Sequence, residues 1–425
     1  MTRGKRMPRG TTPRPLAKRH FWYQSTIIAA GAGPDVPGEM GTAPPAASAG
    51  AFLAAGDAVS VVSPCGPPDP AALDAGVSLL RAWGLEVRGR LGGGDVALAK
   101  DGYLAASDAS RLEDLLRAFM DPDTRAVVCS RGGYGSPRLL QALAERYVRD
   151  CDGNGDTVVD DAEGDGDEGG AGAGKKRKVS EAASQRHLEI DGLVLRQSDV
   201  RRKRFFGFSD ATALHAVLHA LDPGRLVTFH SPMPATGLFT KGTPESHASF
   251  KAALFGAEQP VWPGRLLSPG RRAASAAAGG PLCTGRLVGG NLALVAALVG
   301  TPWEVDIRGA LVCLEDVGEA PYKLDRLIFQ LRHSKASPLG CAAGIVLGDF
   351  GPLEDHYNAG GAPYEGDSFW LDRLGLRDLG VPVTVVDFGH IKHALTLPLG
   401  LPMHVMPDGS LADPRAGAGA RAQTP

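Results

Sequence analysis

The sequence predicts an α/β protein of two domains, with a mainly parallel sheet in the first and mixed α/β structure in the second. Three observations point there. The chain has 425 residues, room for two ordinary domains and their linkers. Short apolar runs bounded by Gly/Pro clusters read as buried strands. Segments of helical periodicity alternate with those runs, the pattern that lays helices over a parallel sheet.

Ordered structure is expected from about Phe52. The first 34 residues contain no Asp or Glu but carry Arg3, Lys5, Arg6, Arg9, Arg14, Lys18 and Arg19. That is the composition of an organellar transit peptide, and equally of an unstructured tail. Residues 29–50 are rich in Ala, Gly and Pro, so 1–51 is set apart as leader and linker. The run 58–62 is a strand stopped by Ser63-Pro64-Cys65-Gly66-Pro67-Pro68. A helix is expected over 71–85 and a second buried strand over 125–130, within a first domain spanning 52–240.

That domain is interrupted at about 150–190. Residues 150–168 hold nine acids and no Lys or Arg, followed by Gly/Ala and then Lys175-Lys176-Arg177-Lys178-Val179. Such a segment cannot bury apolar surface and reads as a disordered insertion. Asp150, Asp152 and Asn154 imitate the opening of a calcium loop, but its twelfth position is Asp161 rather than Glu. The basic run resembles a nuclear-localisation signal, which conflicts with a transit peptide. Localisation is therefore expected to be intracellular: cytoplasmic, organellar, or nuclear through 175–179. A Gly/Pro/Ala-rich linker is expected over 241–280 and a second domain over 281–408. Its strands fall at 310–314, 343–347 and 381–386, ahead of a disordered tail over 409–425.

The formal charge of −2 leaves open whether local charged patches exist. No run of about 18 apolar residues occurs, so a spanning helix is not expected. The six cysteines show no C-x-x-C pair and no zinc-type spacing. Several sit in apolar runs and read as buried, reduced thiols.

Four stretches could carry chemistry. In Gly207-Phe208-Ser209-Asp210-Ala211 an apolar run enters and a helix leaves, its apolar face marked by Leu214, Val217, Leu218 and Leu221. A serine on such a turn is pushed out toward substrate, and its neighbours must be small. The plainer reading makes Ser209 or Asp210 a helix N-cap. Arg131-Gly132-Gly133-Tyr134-Gly135-Ser136 is a glycine turn after a strand, able to bring backbone N–H groups against a ligand, or simply a turn. Ser136 offers a second candidate hydroxyl. At Leu314-Glu315-Asp316 a buried strand ends in carboxylates, which could orient an imidazole or serve a helix start. At Phe388-Gly389-His390 a histidine follows a strand and a glycine, the best placed of the eleven for a general base. His215 and His219 are assigned to packing or capping, and His230 in His230-Ser231-Pro232-Met233 to the lining of a pocket.

The whole set, in this order, resembles the LD-carboxypeptidases and the related microcin-immunity peptidases. The matching segments include RGGYGSPRLL (131–140), GFSDATALH (207–215), GRLVGGNLALVAALVGTPW (285–303), LEDVGEAPYKLDRLIFQ (314–330) and FGHIKHALTLPLG (388–400). The resemblance implies a Rossmann-like N-terminal domain and a smaller C-terminal domain, with the active site at their interface. It implies a catalytic triad of Ser209, Glu315 and His390, which decides between Ser209 and Ser136. The oxyanion hole would use the backbone N–H of Asp210 and one from the glycine turn at Gly133, with Gly132 and Tyr134 beside the substrate. No metal or organic cofactor is expected. The expected partner is a small peptide, with no nucleic acid or membrane, in a homodimer. The substrate implied is a murein tetrapeptide losing its terminal D-alanine. A peptidyl- or aminoacyl-nucleotide, or a non-catalytic binding protein on the same fold, is the alternative. Two departures stand out: the acidic insertion, and Arg201-Arg202-Lys203-Arg204 where the family has a proline before the serine strand.

Overall fold

The structure is a computed structural model that describes residues 50–89, 100–150, 193–256, 261–271, 279–353 and 366–415. The leader, most of the 150–190 insertion, Cys151 and the end of the tail lie outside the described residues. Sixteen strands form among the described residues, numbered here in chain order.

The first sheet contains β1 (Ala58–Val62), β2 (Glu86–Arg88), β3 (Thr124–Cys129), β6 (Arg204–Gly207), β7 (Thr228–His230) and β14 (Leu397–Leu399). Its order is β14-β7-β6-β3-β1-β2. All its pairings are parallel except β14 against β7. β4 (Tyr147–Val148) and β5 (Leu195–Arg196) pair with each other, so the two flanks of the insertion are tied together. Helices Pro70–Ala82 and Thr212–Leu221 stand close to where periodicity places them, and a further helix spans Asp108–Met120. Asp69 and Ser107 accept N–H bonds from the first turns of the helices that follow them.

The second sheet contains β8 (Val261–Trp262), β9 (Gly264–Ser268), β10 (Cys283–Asn291), β11 (Leu311–Glu315), β12 (Gly344–Leu347), β13 (Val383–Val386), β15 (Pro402–Val405) and β16 (Leu411–Ala412). Its order is β8-β16-β15-β10-β11-β12-β13-β9, with a parallel centre of β10 to β13 and antiparallel flanks.

Three departures from the expected layout follow. The 241–280 stretch carries the helix Pro244–Phe255 and the strands β8 and β9, because its short runs gain pairing only at the edges of a sheet. β14 leaves the second domain to edge the first sheet, where the proline within it costs no interior ladder bond. β16 places part of the 409–425 tail in the second sheet. One apolar core unites the two sheets, joining Val59, Phe206 and Phe229 to Leu287, Leu311, Val346 and Phe388. The basic run at 201–204 is absorbed: Lys203 reaches the carbonyls of Asp121 and Thr124, and Arg204 that of Ala253 at 2.7 Å. Cys65, Cys129 and Cys313 are buried free thiols, as their apolar runs suggest, while Cys283 is half-buried and Cys341 exposed. Among the described residues no helix is long and apolar enough to cross a membrane.

Candidate active site

β6 runs into Phe208, and the chain then turns through Ser209–Ala211 into the helix Thr212–Leu221. Ser209 has φ of 60°, the one non-glycine residue at positive φ among the described residues. That conformation costs an L-residue about 1–2 kcal/mol, so the surrounding packing must enforce it. Enforcement is visible on both sides. A Cβ on Gly207 would lie 2.9 Å from Ala211 Cβ and 3.1 Å from Cys129 Sγ. His215 bonds the Gly207 carbonyl at 2.9 Å and Thr228 Oγ1 at 2.8 Å, fixing the strand end. Burial drives the His215 imidazole down to about 3, so it stays neutral and structural.

Neither Ser209 nor Asp210 caps the helix, whose N-cap is Ala211 with no side-chain bond. Asp210 instead faces the glycine turn. Its carboxylate accepts from Ser136 N at 2.8 Å, and its carbonyl accepts from Ser136 Oγ at 2.5 Å. The second candidate hydroxyl is thereby fully buried and committed to a backbone partner. Burial pushes the Asp210 carboxyl up, against hydrogen bonds from Cys65 and Ser136 that pull it down.

The glycine turn lies directly against Ser209. A Cβ on Gly132 would meet Ser209 Oγ at 2.8 Å, and Gly133 has φ of 106°. Gly132 O accepts from Gly66 N at 3.0 Å, and buried Arg111 donates to Gly135 O at 3.0 Å and to Pro64 O. Arg111 thus staples the turns that follow β1 and β3. Sequence pattern gives no sign of it, because an arginine in an amphipathic helix reads as surface. Tyr134 is exposed and meets exposed Tyr103 edge-on, with centroids 5.6 Å apart.

Glu315 closes β11 and is completely buried. His390 follows β13 and shares a hydrogen bond of 2.7 Å between Nδ1 and Glu315 Oε2. Gly389, at φ of 104°, permits the approach: a Cβ there would be 2.8 Å from Glu315 Oε2. Burial alone would push the Glu315 carboxyl up, but the nearby His230 imidazole and the hydrogen-bonded His390 outweigh it and hold the group down to about 2. Asp316 turns the other way. It accepts from Asn291 Nδ2 at 2.9 Å and from Ala293 N at 3.0 Å, holding the end of β10. Glu319 pairs with Lys323 at 3.2 Å.

The two halves meet at this point. Asn291 N donates to Thr212 Oγ1 at 3.0 Å, and the His390 ring packs on Phe208 with centroids 4.6 Å apart. Glu315 and His390 are therefore bonded partners, with Ser209 on the turn beginning one residue beyond the Phe208 ring that His390 touches. Among the described residues no hydrogen bond reaches the Ser209 hydroxyl.

An imidazole oriented by an ionised carboxylate can take a proton from a hydroxyl brought to it, so the chemistry open to this site is that of the serine hydrolases. Comparison with known proteins narrows the class. Residues 59–154 match the LD-carboxypeptidase N-terminal domain and residues 284–405 the LD-carboxypeptidase C-terminal domain. A Bacillus subtilis protein named "Probable murein peptide carboxypeptidase" is 32% identical over 300 residues, 69% of this chain and 72% of the relative. A Streptomyces coelicolor protein that also bears a carboxypeptidase name is 35% identical over 84% of this chain and 93% of its own. The fold matches the crystal structure of a muramoyltetrapeptide carboxypeptidase from Oxalobacter formigenes with a TM-score of 0.57 at 24% identity, covering 83% of this chain and 97% of that one. The chain belongs to the LD-carboxypeptidase family, and with it to the serine-type carboxypeptidases.

Proposed function

We propose that the protein hydrolyses the C-terminal amide of murein-type tetrapeptides, releasing D-alanine, with Ser209 as nucleophile, His390 as general base and Glu315 as the acid that orients it. His390 Nε2 takes the Ser209 proton as Oγ attacks the scissile carbonyl, and Glu315 stabilises the imidazolium that forms. The oxyanion is received by the N–H groups of Asp210 and Gly133, donors worth about 3–4 kcal/mol each when preorganised. His390 then returns the proton to the departing amine. Water repeats the sequence on the acyl-enzyme, so three side chains and two amides suffice. Tyr134 stands at the rim, beside the entering peptide.

The observation that carries this reading is the 2.7 Å bond between Glu315 and His390, packed against the turn that holds Ser209 at positive φ. Murein is favoured over a nucleotide conjugate by the name of the Bacillus subtilis relative. The test is labelling by a fluorophosphonate followed by peptide mapping. The adduct is expected on Ser209 and is expected to vanish in Ser209→Ala. An adduct on Ser136, or an unlabelled wild type, would end the proposal.

A further inference from the structure

His390 uses one oxygen of Glu315; the other is unaccounted for. Glu315 Oε1 is buried with no hydrogen-bond partner, and so is His230 Nε2. These two orphans face each other at 3.6 Å. Burying a polar atom unpaired is costly, so a donor-capable nitrogen aimed at a lone carboxylate oxygen marks a bond that a small closure completes.

His230 is well built for the task. It ends β7 and lies in register beside Gly207, with Leu397 of β14 on its other side, so its backbone is held by strands on both flanks. Its ring is 1% exposed, edge-on to Phe208 at 5.5 Å and to Phe388 at 5.3 Å. Phe208 precedes Ser209, and Phe388 lies two residues before His390. The imidazole therefore joins the strand end that leads into the serine turn to the strand end that leads into the base.

We propose that His230 is a positioning residue of the hydrolytic site, donating Nε2–H to Glu315 Oε1 from the first sheet while His390 donates to Oε2 from the second. The inference rests on the triad reading above. A carboxylate gripped at both oxygens cannot rotate, and the His390 ring bonded to it keeps one orientation toward Ser209. His230 itself never touches the substrate. Its bond also makes the alignment of the base depend on the two sheets being together.

Two substitutions separate this from a packing role. His230→Phe keeps the ring between Phe208 and Phe388 and removes the donor. It should lower kcat roughly 10- to 100-fold with KM within about threefold, since misorienting a catalytic group acts on the chemical step. His230→Gln restores an N–H of similar reach and should recover kcat to within about fivefold of wild type. The rate of fluorophosphonate labelling should follow kcat in both, with melting temperatures recording that each variant folds. Selective ¹⁵N-histidine NMR on the wild type should find a proton on His230 Nε2, a reading that needs no variant. Wild-type kcat in His230→Phe, a Gln variant no better than Phe, or a bare Nε2 would each overturn the inference. An unlabelled wild type would remove the triad reading and this inference together, whereas a labelled wild type with an unaffected Phe variant removes the inference alone.

Discussion

Replacing Gly132 by alanine should disable the enzyme while leaving the fold intact. The added Cβ would sit 2.8 Å from Ser209 Oγ, 2.9 Å from Ser209 Cβ and 3.5 Å from Asp210 N. Rotating the hydroxyl away clears the first contact but not the second, so the turn itself must yield. Ordinary contact begins near 3.4 Å, so Ser209 must retreat by about 0.5 Å, in an interior too densely packed to absorb the shift silently. Misplacing a reacting group by about 1 Å costs roughly 100-fold, and the same methyl crowds the proposed oxyanion donor at Asp210. A fall in kcat/KM of about 100-fold is expected, equivalent to about 3 kcal/mol of barrier. Gly132 is absent from the positive-φ glycines, so alanine introduces no backbone strain there. The assay is steady-state hydrolysis alongside a melting curve. Gly237→Ala, where a Cβ meets nothing within 4 Å, serves as control. Full activity in Gly132→Ala would refute the proposal that the glycine turn packs against the nucleophile.

Three further outcomes are expected. Ser209→Gly and Ser209→Ala should both be inactive, but the glycine variant should be the more stable by about 1 kcal/mol in urea denaturation, because it relieves the positive φ. Glu315→Gln should reveal a pH-dependent stability. The carboxyl drops from 4.5 to about 2 on folding, so its contribution, on the order of 3 kcal/mol, is complete above about pH 4.5 and lost as pH falls toward 2. The gap between wild type and variant should close over that window, and a gap that widened there would contradict the assigned direction. Arg111→Met strips hydrogen bonds from Pro64 O, Ala106 O and Gly135 O. It should cost about 3 kcal/mol of stability, read from the urea midpoint, and lower kcat by loosening the glycine turn.

Much of the fold could be read in advance where a buried run is four or more residues long. β1, β3, β11 and β12 fall within a residue or so of their expected positions, because apolar runs between Gly/Pro stops are local signals. β8, β9 and β16, two to five residues long and only partly buried, carry no readable apolar run and exist only through pairing at the outer parts of a sheet. β14 too depends on its pairing with β7, which joins residues far apart in sequence.

The site divides along the same line. Glu315 at a strand end, and Ser209 and His390 just beyond one, were legible as candidates, while their grouping as a triad came from the family resemblance. Ser136 was legible as a hydroxyl after glycine, but not its burial against Asp210. Arg111 was not recoverable as a site residue, and His230 was legible only as lining a pocket, not as a neighbour of Glu315. Their significance lies in carbonyls and a carboxylate brought to them by tertiary packing, and no spacing along the chain encodes such partners.

The most direct measurement is D-alanine released from a murein tetrapeptide by the wild type, by Ser209→Ala and by Ser136→Ala. Release by the wild type, its loss in Ser209→Ala and its persistence in Ser136→Ala are the predicted results. Release that survives in Ser209→Ala, or that fails only in Ser136→Ala, would contradict the account.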